Sequence, residues 1–462
     1  MNKTLKIVQA YDRKVFAEIP QDDREALESK LKRASLTLQN RGQWLKPYER
    51  MAILKQTAKL LTEKQADFVK LITQEGGKPY RDADIEVTRA IDGLNDAAEE
   101  LRQFAGREIP MGLTPASLNR WAFTVKEPIG VVAAVSAFNH PLNLIVHQVA
   151  PAIAVGCPVI IKPASATPLS CLELVKLIWQ AGLEESWCQT LITDDTHLAE
   201  QLVTDQRISF FSFIGSAKVG WHLRSKLAPG TRCALEHGGS APVIVDKSAD
   251  LAKTIPSLVK GGYYHAGQVC VSVQRIFVHK EISAQFMEEF VKRVQSLRVG
   301  DPQLKETEVG PLINPRETER VLLWIDEAVS KGAKLFGGGR LSETTLKPAV
   351  LFNPPADAKV SQLEVFGPLT CVYEYEDLDK AIMIANSLEV AFQASVFSED
   401  LVVALKAAED LTASAVLVND HTAFRTDWMP FAGLKQSGYG IGGIPWTMKE
   451  MSHEKMIVLN RN

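Results

Sequence analysis

The spacing of apolar residues divides the chain into two textures. From Asp23 to about Gly106 they recur at helical intervals, with long amphipathic stretches at Tyr48–Glu75 and Ile85–Phe104. From Gly130 onward, short β-rich runs alternate with helical ones. GVVAAVSA (130–137), PVIIK (158–162), a run near Thr190 and ISFFSFIG (208–215) read as strands. Leu142–Val155, Leu169–Ala181, His197–Val203 and a segment from Ala217 read as the intervening helices. Strands that are almost wholly apolar are buried on both faces, so this alternation predicts an α/β fold with a doubly wound parallel sheet. Ligands of such sheets sit outside the carboxyl ends of the strands. A second alternating region follows, with helices at Ala284–Leu297 and Glu317–Lys331 and β-like runs at Ala349–Phe352, Leu369–Tyr375 and Ala415–Asn419. PFAGLKQSGYG (430–440) reads as a Gly-rich loop. Lys455–Asn460 reads as a lone final strand that needs a partner, and a neighbouring subunit is one candidate.

The longest apolar stretch, Leu144–Ile161, contains His147, Gln148, Pro151, Gly156 and Pro158. It therefore reads as a buried helix followed by a buried strand, and no membrane association is expected. The N-terminus has no uninterrupted apolar core of the kind a signal peptide carries. With 462 residues the chain has length for roughly three domains. Its 52 Lys+Arg and 55 Asp+Glu leave a net charge of −3, so no basic field invites nucleic acid. Six scattered cysteines without a C-x-x-C pair predict reduced thiols in a cytoplasmic protein, with neither a disulfide framework nor a metal site.

Five segments carry candidate chemistry. In GGYYHAGQVCVSVQRIFV (261–278), Cys270 stands just before an apolar β-like run, where a turn would present a thiolate nucleophile. A lone cysteine is by default a buried structural thiol. His265, five residues upstream, also admits a Cys–His hydrolase. In LEHGGSAPVIV (235–245), Glu236 falls at a strand end before a Gly-Gly turn and is a candidate general base, against the ordinary alternative of a solvated loop glutamate. Asn139, in VSAFNHPLN (135–143), suits either a helix cap or an oxyanion donor. Lys162 ends a strand in KPASATPLS (162–170), ahead of a helix able to accept anionic groups. FIGSAKVG (213–220) has a strand–Gly-Ser–helix arrangement without the dinucleotide G-x-G-x-x-G spacing.

Taken in order, the blocks AFNHP (137–141), KPAS (162–165), FIGS (213–216), LEHGG (235–239), GQVC (267–270), EVFGP (364–368) and PFAG–K-SG (430–438) resemble the aldehyde dehydrogenase superfamily over essentially the whole chain. Glu236 lies 34 residues before Cys270 and Glu364 lies 94 after it, as in that family. The resemblance implies a Rossmann-like cofactor domain (1–109 and 127–237), a second α/β catalytic domain (238–440) and a small β oligomerisation arm (110–126 and 441–462), hence a homodimer or homotetramer. It implies NAD(P)-dependent oxidation of an aldehyde to a carboxylic acid. Cys270 would form a thiohemiacetal and then a thioester, Asn139 and the Cys270 N–H would hold the oxyanion, and Glu236 would activate the hydrolytic water. The cofactor, NADP or NAD, would lie along Ser136, Phe138, Lys162, Ser165, Phe213, Gly215, Ser216, Glu364 and Phe366.

Where many NAD-specific members carry a glutamate, this chain has Ser165, which removes repulsion of a 2′-phosphate and leans toward NADP. His140, His147, Tyr264 and Arg425 are expected at the substrate entrance and suggest a small polar aldehyde, a hydroxyaldehyde or a short semialdehyde. Val269 stands where relatives acting on phosphorylated aldehydes carry arginine, which weighs against a phosphate group. The texture of AGQVC, VSVQRI and GGIPWTMKEM resembles the lactaldehyde and non-phosphorylating glyceraldehyde-3-phosphate branch. A CoA-acylating enzyme usually lacks the base at Glu236, and a catalytically silent relative would be expected to lose Cys270 or Asn139.

Overall fold

The computed structural model describes residues 3–461. Met1, Asn2 and Asn462, the outermost residues of the expected cofactor domain and arm, lie outside the described residues. The first sheet has six strands. Val131–Val135 pairs in parallel with Val159–Lys162 and Ile208–Ile214, Cys188–Thr190 adds beyond the former, and Arg232–Glu236 beyond the latter. Helices lie between these strands as the periodicity predicts, at Asn143–Val155, Leu169–Gln180, Thr196–Thr204 and Ala217–Arg224. Every residue of the Asn143–Val155 helix is buried, which is why that segment is mostly apolar on every face. Among the described residues no helix is long and apolar enough to cross a membrane.

The chain leaves the first sheet at Glu236 and enters a second at Pro242–Val245. That sheet has seven strands, parallel except for its edge strand Lys334–Gly337, and Arg275–His279 lies beside Pro242–Val245. The chain then returns. Gly438–Tyr439 pairs antiparallel with Arg232–Glu236, so the two sheets are laced together at the strand that carries Glu236.

The terminal strand is not lone. Ser452–Asn460 pairs antiparallel along its whole length with Arg120–Pro128 of the same chain, and the short Glu108–Ile109 strand completes a three-stranded arm. Among the described residues of 441–462, it is this strand, with Arg461 bonding the Asn119 carbonyl beyond it, that joins the arm. The preceding Ile444–Glu450 helix packs Ile444 and Met448 into the core around the Asn143–Val155 helix. The amphipathic stretch Tyr48–Glu75 is two helices, Pro47–Glu63 and Gln65–Gly76, broken at Lys64. An N-terminal hairpin, Thr4–Val8 with Val15–Pro20, adds a feature the periodicity does not signal.

Two helix N-termini of the first domain are held by remote carboxylates. Glu75 accepts from the Leu169 and Ser170 N–H groups at 2.8 and 3.0 Å. Glu86 accepts from those of Leu142 and Asn143 at 2.9 and 3.1 Å and pairs with the fully buried Lys78. A carboxylate at this end satisfies open N–H groups and the helix dipole together. Replacing Glu86 by alanine strands the Lys78 charge and frees the start of the Asn143–Val155 helix. A loss of about 3–5 kcal/mol is expected, read as an earlier unfolding transition, with partial recovery in the Glu86→Ala/Lys78→Met double variant.

Candidate active site

A cavity of about 980 Å³ lies between the carboxyl ends of the first sheet and the second domain. Its first wall follows from strand direction. Val131–Val135 runs into Ser136, Phe138, Asn139 and His140, Ile208–Ile214 runs into Gly215 and Ser216, and Arg232–Glu236 ends on Glu236 itself. The facing wall brings Tyr264 and Cys270, then Glu364 and Phe366, then Arg425. Phe213 also lines it. Three sequence candidates are not in this wall. Lys162 and Ser165 flank Ala164, which is; the Lys162 ammonium donates to the Pro163 carbonyl (3.1 Å) and the Ser165 hydroxyl to that of Thr193 (3.0 Å). Burial lowers the Lys162 pKa to about 8. His147 lies behind Arg425 rather than in the cavity, because it sits a turn into the wholly buried helix.

The loop before Cys270 has an unusual backbone. His265, Ala266 and Gly267 are consecutively left-handed, with φ of 47°, 54° and 71°. Only glycine fits at 267, where a Cβ would come 2.1 Å from the Gly367 carbonyl oxygen. Gln268 fastens the loop: its amide donates to the His265 and Pro311 carbonyls and its side-chain oxygen accepts from the Ile313 N–H. The Gln268 carbonyl in turn accepts from Asn139 Nδ2 at 2.8 Å. This bond orients the Asn139 amide and leaves its second N–H available, since an amide nitrogen has two.

The titratable groups are tuned by burial. Burial pushes the Cys270 thiol well above its ordinary value, and the nearby Glu236 and Glu364 carboxyls add to the rise. Burial also raises Glu236, with Arg425 acting against it. Glu364 is pushed up to about 8 by burial, and Arg320 opposes that. His140 is held well below the usual imidazole range by burial and by Lys78, and its Nε2 lies 2.7 Å from the Tyr264 hydroxyl.

A buried ionic cluster backs one side of the cavity. Asp427 accepts from Arg89 Nε and Nη2 (3.1 and 2.7 Å), from Asn143 Nδ2 (3.1 Å) and from His147 Nε2 (2.6 Å). Burial alone would raise Asp427, but its His147 and Arg89 partners hold it far below the carboxylate range. His147 is lowered to about 4, chiefly by burial and then by Arg425. It is therefore a neutral imidazole that donates from Nε2 and accepts from Arg425 Nη2 at Nδ1 (3.3 Å). Sequence reasoning missed Arg89, Asp427 and Gln268. A signal for the first existed: Asp82, Glu86 and Arg89 form an i, i+4, i+7 stripe on a helix face that packing alone would make apolar.

Comparisons with known proteins give the family. The chain matches the model of the aldehyde dehydrogenase family over residues 1–457. It is 38% identical over 456 residues to the 3-sulfolactaldehyde dehydrogenase of Priestia aryabhattai, covering 99% of this chain and 95% of that one. Among solved structures, aldehyde dehydrogenase 21 from Physcomitrella patens in complex with the reaction product succinate aligns with a TM-score of 0.96 at 34% identity, over 100% of this chain and 95% of the other. Glyceraldehyde-3-phosphate dehydrogenase from Methanocaldococcus jannaschii complexed with NADP aligns with a TM-score of 0.94 at 34% identity over 100% of both chains. A match across nearly the whole length, to proteins of the same two-sheet architecture, makes this chain a member of the aldehyde dehydrogenase family, enzymes that oxidise aldehydes with NAD(P).

Proposed function

We propose that the enzyme oxidises a short aldehyde with an anionic or strongly polar far end, a semialdehyde or hydroxyaldehyde, to its carboxylic acid. The observation that carries this reading is Arg425, a cavity-lining guanidinium whose buried Nε has no hydrogen-bond partner. A buried cation with unspent donors is costly unless a ligand supplies the missing acceptor. His140 and Tyr264 add polar edges to the same wall. Relatives named for sulfolactaldehyde and lactaldehyde, and a neighbour solved with succinate, support small polar substrates.

The residues suit a dinucleotide. Ser136 Oγ and Glu364 Oε1 are buried in the cavity wall without partners, and the Ala217–Arg224 helix opens beside Ser216 with no side-chain cap, leaving its first N–H groups for an anion. Ser136, Phe138, Phe213, Gly215, Ser216, Glu364 and Phe366 would line the cofactor, with Lys162 and Ser165 toward its ribose. When bound, NAD(P) supplies the hydride acceptor. Cys270 attacks the aldehyde carbon, and the Asn139 amide and the Cys270 N–H stabilise the resulting oxyanion. After oxidation to the thioester, Glu236 takes a proton from the water that releases the acid. The three-stranded arm is read as the element that assembles a dimer or tetramer, since Met456, Val458 and Leu459 of its outer strand are exposed. Six unbridged cysteines suit a reducing cytoplasm.

Glu236→Gln is expected to give one burst of reduced nicotinamide per active site and then stall as acyl-enzyme. Steady turnover at the wild-type rate would overturn the base assignment, and acceleration by coenzyme A would point to acyl transfer instead. Asn139→Ala should lower kcat by about 10²–10³. In the cofactor-free enzyme, alkylation of Cys270 by iodoacetamide should be slow at pH 7 and climb about tenfold per pH unit above it, because the raised thiol is protonated below its pKa. NADP should be used at least as well as NAD, and Lys162→Ala should raise the KM for NADP by about tenfold or more, and by more than it raises the KM for NAD.

A further inference from the structure

The Glu236 carboxylate is nearly naked. It has no hydrogen-bond donor among the described residues, and its one countercharge is Arg425, with Nη1 3.9 Å from Oε1. The backbone of Gly442 lies beside Oε2, where a Cβ would come within 3.0 Å. The other titratable group facing it is the Cys270 thiol. Arg425 is fixed on its remaining sides. The Asn143–Val155 helix presents His147 Nδ1, the Phe431 ring lies under the guanidinium at 3.5 Å, and Arg89 and Asp427 flank it as a self-satisfied pair. The guanidinium therefore has one partner it is free to exchange, and that partner is the general base.

We propose that Arg425 serves two anions in turn: it faces Glu236 in the free enzyme, and when the far end of an anionic acyl group docks against it, Glu236 loses its countercharge and becomes the stronger base for deacylation. This rests on the reading of Arg425 as the substrate's anchor and adds that binding at one end of the substrate tunes chemistry at the other. The step balances. The water oxygen bonds to the acyl carbon while a water proton passes to Glu236. The C–S bond then breaks, Cys270 leaves as thiolate and recovers that proton, and the acid loses its own proton to solvent. A carboxylate deprived of a cation about 4 Å away is expected to gain on the order of one pK unit.

The test compares succinic semialdehyde with butanal, equal in carbon number and differing in the terminal charge. Decay of the acyl-enzyme is followed after a single turnover across pH. Deacylation needs ionised Glu236, so its rate falls as pH drops through that group's pKa. The acid limb should lie on the order of one unit higher for the succinyl than for the butyryl enzyme. In Arg425→Gln the two limbs should coincide, with the butyryl limb moved up, while in Arg425→Lys the separation should persist. Cofactor binding by fluorescence verifies that each variant is folded. Coincident limbs in the wild type, or a separation that survives Arg425→Gln, would overturn the proposal. The anchor itself is judged separately: if Arg425→Gln leaves the KM for succinic semialdehyde unchanged relative to butanal, the substrate reading fails, and with it this extension. A raised KM with coincident wild-type limbs removes only the extension.

Discussion

The hydrogen bond from Asn139 to the Gln268 carbonyl is the point on which the site depends. It crosses from the strand ends of the first sheet to the loop that carries Cys270, and both partners are buried. Its acceptor is rigid because Gln268 bridges His265, Pro311 and Ile313, and because the left-handed turn at Gly267 is pressed against Gly367. Its donor is rigid because Glu86 pins the start of the helix that follows Asn139. This amide joins the Gly438–Tyr439 pairing with Arg232–Glu236 in holding the two sheets in register. Backbone strain at His265 and Ala266 persists only because its surroundings over-determine it.

Low dielectric governs the rest. Cys270, Glu236, Glu364 and Arg425 in the cavity wall are removed from water, and the state of each follows from how many donors or acceptors replace that water. Asp427 receives four hydrogen bonds and stays ionised. Glu236 and Glu364 receive far less compensation, so their pKa values rise. The contrast explains how carboxylates in neighbouring positions divide into a structural anchor and groups able to exchange protons near neutrality.

The parts legible in the sequence were those determined locally. Ala349–Phe352 and Leu369–Tyr375 coincide with the observed strands because a doubly buried parallel strand needs an unbroken apolar run. The long-range seam was not legible from periodicity, since nothing local says that Asn139 reaches Gln268 or that Ser452–Asn460 folds back on Arg120–Pro128. His147 was expected at the cavity because it follows the asparagine by about two turns. It lies instead behind Arg425, where Asp427 gives it a polar partner beside a helix buried on every side. The N-terminal hairpin went unseen because its second strand is only partly buried and carries little alternation.

Charge bookkeeping links these features to turnover. Arg89 and Asp427 cancel each other, His140 and His147 are neutral, and Glu364 is raised to about 8 and mostly protonated near pH 7. That leaves Arg425 and Glu236 as the unbalanced pair facing the reaction. An aldehyde with one negative charge brings the wall to a net excess of negative charge whenever Glu236 is ionised, which favours a protonated glutamate just after water has been activated. Hydrolysis of the thioester then adds a second carboxylate at the Cys270 end, beside Glu236, where the facing cation is Arg425. Repulsion between like charges in low dielectric is strong, so the doubly charged product is held less well than the substrate that preceded it. On the reading proposed for Arg425, the buried arginine that anchors the substrate is insufficient for the product, and hydrolysis itself promotes release.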